Sequence, residues 1–433
     1  MKKLLIAGTL IAVVFIFSAC NRIQYEEYIP EIAVLPPVYE TAVTALPYAA
    51  PEPEPTPEPE SLPDYDDSLL PLTELWTGEI RKESGIASAR HGISFAVKDD
   101  GSLWGWGFNE DGRLGDGTTE NRHYPVHIMD DVLMVATAGF ATFVIRTDGS
   151  LWGWDTDTTM ESRVGFADAG YSLTPVYIMS DVKYVSLNSH VMAITNDETL
   201  WGWGTNRIGQ LGIGNTEYGY YPVRIMSNVA AVSAGYAYTM AITTDGVLYG
   251  WGNNRNGQLG IGFGGSALYP VRVMDYVIQV STGVTGLMSV NATHTMAIRA
   301  DNSLWGWGCA RNGQLGSRTN RTTVYPIRIM DDVESVAVGR SSTFVILPDD
   351  SLWGFGLETS TSEPVWLMDN VNAVATGLTV TYSWNEYHHT LVATNDGVLW
   401  AWGSNQFGQL GDGTTEFRET PVRIVDGVMT IQR

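Results

Sequence analysis

A chain of 433 residues that repeats one aromatic pentapeptide seven times predicts an all-β fold, a seven-bladed β-propeller of four-stranded repeats. Three observations carry that prediction. Leu followed by an aromatic recurs at Leu103-Trp104, Leu151-Trp152, Leu200-Trp201, Leu248-Tyr249, Leu304-Trp305, Leu352-Trp353 and Leu399-Trp400. The intervals are 48, 49, 48, 56, 48 and 47 residues, a period that marks a repeat architecture. Twelve of the 15 Trp fall inside the pentapeptide, and the 46 Gly argue against helices, whose interiors Gly destabilises.

Each unit reads in one order. An apolar alternation ending in Gly comes first, as at 229–235, and a second strand such as Thr239-Met-Ala-Ile242 follows. A tight polar pair, Asp245-Gly246 here, then joins it to Leu-Trp-Gly-Trp-Gly. Asp-Gly between alternating strands is a hairpin signal, because both residues accept positive φ. A turn with Gly-Gln-Leu-Gly follows at 209–212, 257–260, 313–316 and 408–411, and Gly-Arg-Leu-Gly at 112–115. Pro-Val-Arg-Ile-Met or a close variant ends the unit. Four short strands cannot bury both faces alone, so neighbouring units must stack, with Trp filling the wedge between sheets.

Ring closure offers two candidates for one strand position. Residues 86–89 precede the first repeat, and residues 427–433 align with the first strand of a unit. One of them is expected to complete the closing blade.

The first 75 residues lie outside the repeats. Lys2 and Lys3 precede an apolar run from Leu4 to Phe17, then Ser18-Ala19-Cys20. This reads as an export signal over 1–19, too short for a span of about 20 residues. Phe-Ser-Ala-Cys resembles the lipobox of bacterial lipoproteins, with Phe17 in place of the usual Leu. The resemblance implies cleavage before Cys20, a lipid on its sulfur and a membrane or cell-surface location. Residues 20–75 form an acidic Pro-rich linker, with Pro at alternate positions through 51–59. Such a segment is stiff and extended. The propeller is assigned to 76–433. Cys309, the other of two cysteines, reads as a small packed residue.

The net charge of −23 argues against a broad nucleic-acid surface, which needs Lys and Arg. No catalytic chemistry emerges. The Asp-Gly-Thr turns at 116–118 and 412–414 carry too few oxygens for calcium and read as structural. Asn109, Asn206, Asn254 and Asn405 recur at one turn position, which favours a structural role. His190, His294 and His389 share one repeat position and point to packing or a hydrogen bond within each blade. His388 and His389 are neighbours on a strand and face opposite sides, so they do not form a metal pair. Phosphate-loop, Gly-x-Ser-x-Gly and His-Glu-x-x-His patterns are missing. Neither a catalytic residue nor a cofactor is assigned, and the chain is not expected to be an enzyme.

Leu-Trp-Gly-Trp-Gly, Asn-x-x-Gly-Gln-Leu-Gly and Pro-Val together resemble the regulator of chromosome condensation repeat family, over about residues 80–433. The resemblance implies a seven-bladed propeller but no single activity. Similar proteins include a nuclear exchange factor for a small GTPase and a secreted bacterial inhibitor of β-lactamases.

Departures from the repeat locate the candidate site. Pentapeptide to Pro spans 21 residues in five units, 23 in unit 2 and only 11 in unit 6, from Trp353 to Pro364. Units 5 and 7 gain residues between their first two strands, over 12 positions from Gly283 to Thr295 and 13 from Gly377 to Thr390. Both insertions lie at one repeat position and project from one face. The unit 7 insertion carries Tyr382, Trp384 and Tyr387, and that in unit 5 carries Leu287 and Met288. Aromatics of this kind dominate binding hot spots. The expected function is protein–protein interaction by a monomer held at a membrane through Cys20. Nucleotide exchange on a small GTPase and cell-wall carbohydrate binding are the alternatives.

Overall fold

The computed structural model describes residues 85–89, 92–139, 141–155, 172–262, 264–283, 293–316, 321–356, 359–380 and 386–430. These residues form 28 strands in seven four-stranded antiparallel sheets. Each sheet uses four consecutive strands, here called a to d from the ring axis outward. The seven sheets are blades 1 to 7 of the predicted propeller.

Burial follows from stacking. Strand b is buried along nearly its whole length, as in His190–Thr195 and Tyr238–Thr243. Strand c, the pentapeptide, buries every residue but its first aromatic in Leu200–Gly204 and Leu304–Gly308. The second aromatic enters the wedge between blades. Trp154 meets Phe95 of the preceding blade edge-on at 6.0 Å, and Trp203 meets Phe143 likewise. Gly between the two aromatics makes room for the facing strand b side chain of its own blade: a Cβ on Gly105 would lie 2.7 Å from the Phe95 ring.

Strand d is the outer edge and is half exposed, as in Arg122–Met129. An open edge invites pairing with other chains, and Pro lacks the donor for it. Strand d of six blades contains a Pro, among them Pro125, Pro222 and Pro270, and in blade 2 Pro175 directly precedes it.

The expected single closing strand is a composite. Ile86–Ala89 pairs with Ile93–Val97 as strand a of blade 1. Val428 adds an antiparallel bridge to Lys98, and Met429 N donates to Val97 O at 2.9 Å. Val97 N in turn donates to Gly85 O at 2.8 Å. One strand position is thus shared by residues 85–89 and 427–429. The changeover works because residue 85 is Gly: a Cβ there would sit 3.1 Å from Met429 Cβ. Val428 is fully buried beside Ile86, Trp106 and Leu399.

Candidate interaction face

Antiparallel order places the a–b and c–d connections at one end of every blade, here the upper face. The b–c and d–a connections occupy the lower face. Lower-face turns are built from the Asp of each polar pair. Asp100 Oδ1 accepts from Ser102 N at 2.9 Å and Ser102 Oγ at 2.6 Å, and Trp104 Nε1 donates to Ser102 Oγ at 2.9 Å. Asp148 and Asp349 repeat the arrangement. The serine hydrogen bonds hold the carboxyls of Asp100, Asp148 and Asp349 below their ordinary pKa.

The upper face is organised by the Gly-Gln-Leu-Gly turn. Its Asn anchors it: Asn206 Oδ1 accepts from Leu211 N at 2.9 Å, while Nδ2 donates to Asn215 O at 3.0 Å. Asn109, Asn254 and Asn405 do the same, a structural role as expected. Asp116 and Asp412 are turn anchors too, each accepting from a Thr and from Arg122 or Arg418.

The turn also latches the next blade. Gln210 O accepts from Trp251 Nε1 at 2.9 Å and Thr239 Oγ1 at 2.8 Å, both on blade 4. Gln258 O does so for Trp307 and Thr295, and Gln409 O for Trp106 and Ser94. The paired donors face each other across strands b and c, as Thr239 and Trp251 do. At the blade 5/6 interface the Phe355 ring has no N–H, and Thr343 Oγ1 donates to Gln314 O at 2.8 Å. Trp154 Nε1 uses Arg113 O.

The three histidines act between blades rather than within them. His190 Nε2 lies 2.6 Å from Thr239 Oγ1, His294 Nε2 2.9 Å from Thr343 Oγ1 and His389 Nε2 3.1 Å from Ser94 Oγ. Each hydroxyl already donates to a Gln carbonyl, so each His donates from Nε2. The strand b position faces the neighbouring sheet, a three-dimensional fact with no trace in the repeat register. Burial lowers the His389 pKa to about 3, helped by the neighbouring His388. Burial and the Arg340 charge lower His388 to about 4.

The extra residues of units 5 and 7 fall between strands a and b, and in blade 7 they lengthen both strands, Val371–Val380 and Glu386–Thr394. Leu287, Met288, Tyr382 and Trp384 lie outside the described residues, as does Cys20. Tyr387 continues strand b of blade 7, its backbone opposite Thr379. The axial channel encloses about 210 Å³ and is lined by strand a of six blades. Small-molecule sites run from about 300 Å³ upward. Hydroxyls on strand a also tie blades together: Ser186 Oγ accepts from Ala234 N at 3.0 Å, and Ser233 meets Thr282 at 2.8 Å. Among the described residues no group of three or more His, Cys, Asp or Glu could hold a metal, and Cys309 is buried.

A seven-bladed ring with one elaborated face defines a class of repeat propellers. Residues 81–363 match the RCC1-like domain, and residues 396–431 match the regulator of chromosome condensation (RCC1) repeat. The chain belongs to the RCC1-like domain family. It is 29% identical over 148 residues to the Arabidopsis thaliana ultraviolet-B receptor UVR8, covering 32% of this chain and 33% of the receptor. It is 28% identical over 143 residues to the Homo sapiens E3 ubiquitin-protein ligase HERC2, over 30% of this chain and 3% of the ligase. The matched segment is thus about a third of one relative and a small part of the other. Among solved structures, human WBSCR16 aligns with a TM-score of 0.64 at 21% identity, over 75% of this chain and 94% of its own. Saccharomyces cerevisiae Prp20p, whose structure is described together with its binding to Gsp1p and histones, aligns at 0.60 and 18% identity. It is covered over 89% of its length, against 82% of this chain. These likenesses share the fold.

Proposed function

We propose that this chain is a protein-interaction module that engages a partner through its upper face and is held at a membrane by a lipid on Cys20. One observation carries the reading. Both long a–b insertions belong to one end of the blades, after Gly283 in blade 5 and after Gly377 in blade 7, where strand a runs on to Val380. A rigid ring presenting loops at one end suits recognition, since loops carry function while the scaffold fixes their position. Tyr382, Trp384 and Tyr387 are the proposed anchors, with Leu287 and Met288 beside them. In this reading the export segment and the acidic Pro-rich linker hold the ring off the bilayer, on its outer side.

The test is co-purification from membranes after mild crosslinking. Replacing Tyr382, Trp384 and Tyr387 together by Ala should abolish capture of the partner without altering the fold. Undiminished capture overturns the site. Mass spectrometry of the same sample reads the acylation of Cys20. Nucleotide exchange, which the family resemblance implies, predicts accelerated nucleotide release from a small GTPase. The export segment opposes it, because such GTPases work in the cytoplasm.

A further inference from the structure

Blade 6 lacks the turn that latches every well-described neighbour. Gly356 pairs directly with Thr361, whereas Gly107 pairs with Arg122 in blade 1. The consequence falls on blade 7. Thr390 and Trp402 face each other across strands b and c, in the same register as Thr239 and Trp251. In blades 1, 4 and 5 this pair converges on one Gln carbonyl, at 2.8 and 2.9 Å. Among the described residues, neither Trp402 Nε1 nor Thr390 Oγ1 meets an acceptor. Thr390 is nonetheless 2% exposed. Trp402 is half-buried, whereas its counterparts Trp106, Trp154, Trp203, Trp251 and Trp307 are fully buried.

The N–H and the O–H thus stand at the register of a shared carbonyl without one among the described residues. Their geometry is already defined by the other interfaces: they hold a backbone carbonyl. We propose that the notch between blades 6 and 7 is a docking site for a protein turn, whose backbone carbonyl takes the place of the missing Gln carbonyl. The partner supplies in trans what the Gly-Gln-Leu-Gly turn supplies in cis elsewhere. Its outer rim carries exposed Glu419 at the position where the first Gly of the turn packs in other blades, against Leu268 in blade 4. A neutral or basic turn therefore fits better than an acidic one. The notch opens on the upper face, and its assignment does not rest on the aromatic insertions.

The probe is a cyclic peptide with the sequence of residues 205–216, which carries the blade 3 turn and a single charge, the positive Arg207. It is titrated into the full chain bearing nitrogen-15 tryptophan, with the Trp402 indole assigned by Trp402→Phe. Without peptide, the Trp402 indole should exchange with deuterium at least about tenfold faster than those of Trp106, Trp251 and Trp307, whose N–H groups are bonded. With peptide it should shift and become protected while the other three stay unchanged. Combining Trp402→Phe with Thr390→Val should weaken peptide binding about tenfold or more. Replacing residues 357–360 by the blade 5 turn should fill the notch, protect the Trp402 indole and abolish peptide binding. The Ala triple variant of Tyr382, Trp384 and Tyr387 should bind the peptide normally. Slow exchange at Trp402 in the free chain overturns the proposal, and so does an unmoved Trp402 signal at millimolar peptide. Loss of peptide binding in the triple variant would place the peptide on the insertion instead, overturning the notch while leaving the upper-face reading intact.

Discussion

The blade 7/1 and blade 6/7 interfaces are opposites. At 7/1 the chain does not run from one blade into the next; residues 427–429 meet residues 85–99 there instead. At 6/7 it runs on without a break. The 7/1 interface is the more heavily joined. Gln409 O takes both Trp106 and Ser94, His389 bonds Ser94, Phe407 packs edge-on to Phe108 at 4.9 Å, and Val428 bridges Lys98. The Tyr124 ring also covers Gly413, whose φ of +81° suits Gly and where a Cβ would lie 2.0 Å from the Tyr hydroxyl. At 6/7 the latch turn is missing, and among the described residues Trp402 and Thr390 have no shared acceptor. A ring needs its strongest contacts where covalent connection cannot help. Where the chain is continuous, an interface can lose its latch and the ring survives.

The largest expected effect comes from unmaking the seam. Deleting residues 427–433 removes the buried Val428 side chain and the backbone bonds to Val97 and Asp99. Loss of a buried aliphatic group and several hydrogen bonds should cost about 3 kcal/mol or more. Differential scanning calorimetry should show a clear fall in melting temperature. An unchanged value would mean that Ile86–Ala89 alone closes blade 1, and the contrast between the interfaces would lose its basis.

Much of this was legible in the sequence, and the limits are physical. The pentapeptide gave the strand c positions and hence the blade count, because Gly and Trp at fixed spacing report close packing directly. The structural Asn and Asp turns were legible because their partners lie within ten residues. The histidine bonds were not, because His389 and Ser94 are 295 residues apart and repeat alignment gives register but not the neighbour across a wedge. The shared strand position at closure was ambiguous for a related reason. Both segments fit the pattern, and only the approach of Met429 to Gly85 shows where one replaces the other. The shortened unit 6 was plain as a deletion of sequence. Its effect on Trp402 and Thr390, a blade away, was not. The aromatic insertions were found as departures from the template, which locates them but leaves their side-chain geometry outside the reach of pattern.

Acid offers a second way to act on the seam. The His389 pKa is lowered to about 3 by burial at the 7/1 interface, against about 6.5 for an unfolded His. Between these values the unfolded chain binds the proton and the folded chain does not. Stability therefore rises with pH through this window and is lost as pH falls below about 6.5. By pH 5 the loss from His389 alone is about 2 kcal/mol, and most carboxylates are still ionised there. His388, lowered to about 4, adds in the same direction. Melting curves from pH 7 to pH 5 should show the fall. His389→Asn, which removes the titrating group, should flatten it although the variant is less stable at pH 7. An identical slope in both proteins would assign the acid sensitivity elsewhere.

The smallest effect is the most discriminating. Trp106 and Trp402 occupy one repeat position on either side of blade 7, and Phe355 shows that Phe is compatible with it. Trp106→Phe removes an indole N–H bonded to Gln409 O and part of a fully buried ring. Ser94 Oγ still donates to that carbonyl, so no buried acceptor is orphaned. The cost is then one hydrogen bond and a small cavity, about 1–2 kcal/mol. Trp402→Phe removes no bond within the described residues and trims a half-buried ring, so about 0.5 kcal/mol or less is expected. Chemical denaturation of the two variants measures the difference directly. Equal losses would show that Trp402 is latched after all, and the two interfaces would then differ in sequence but not in strength.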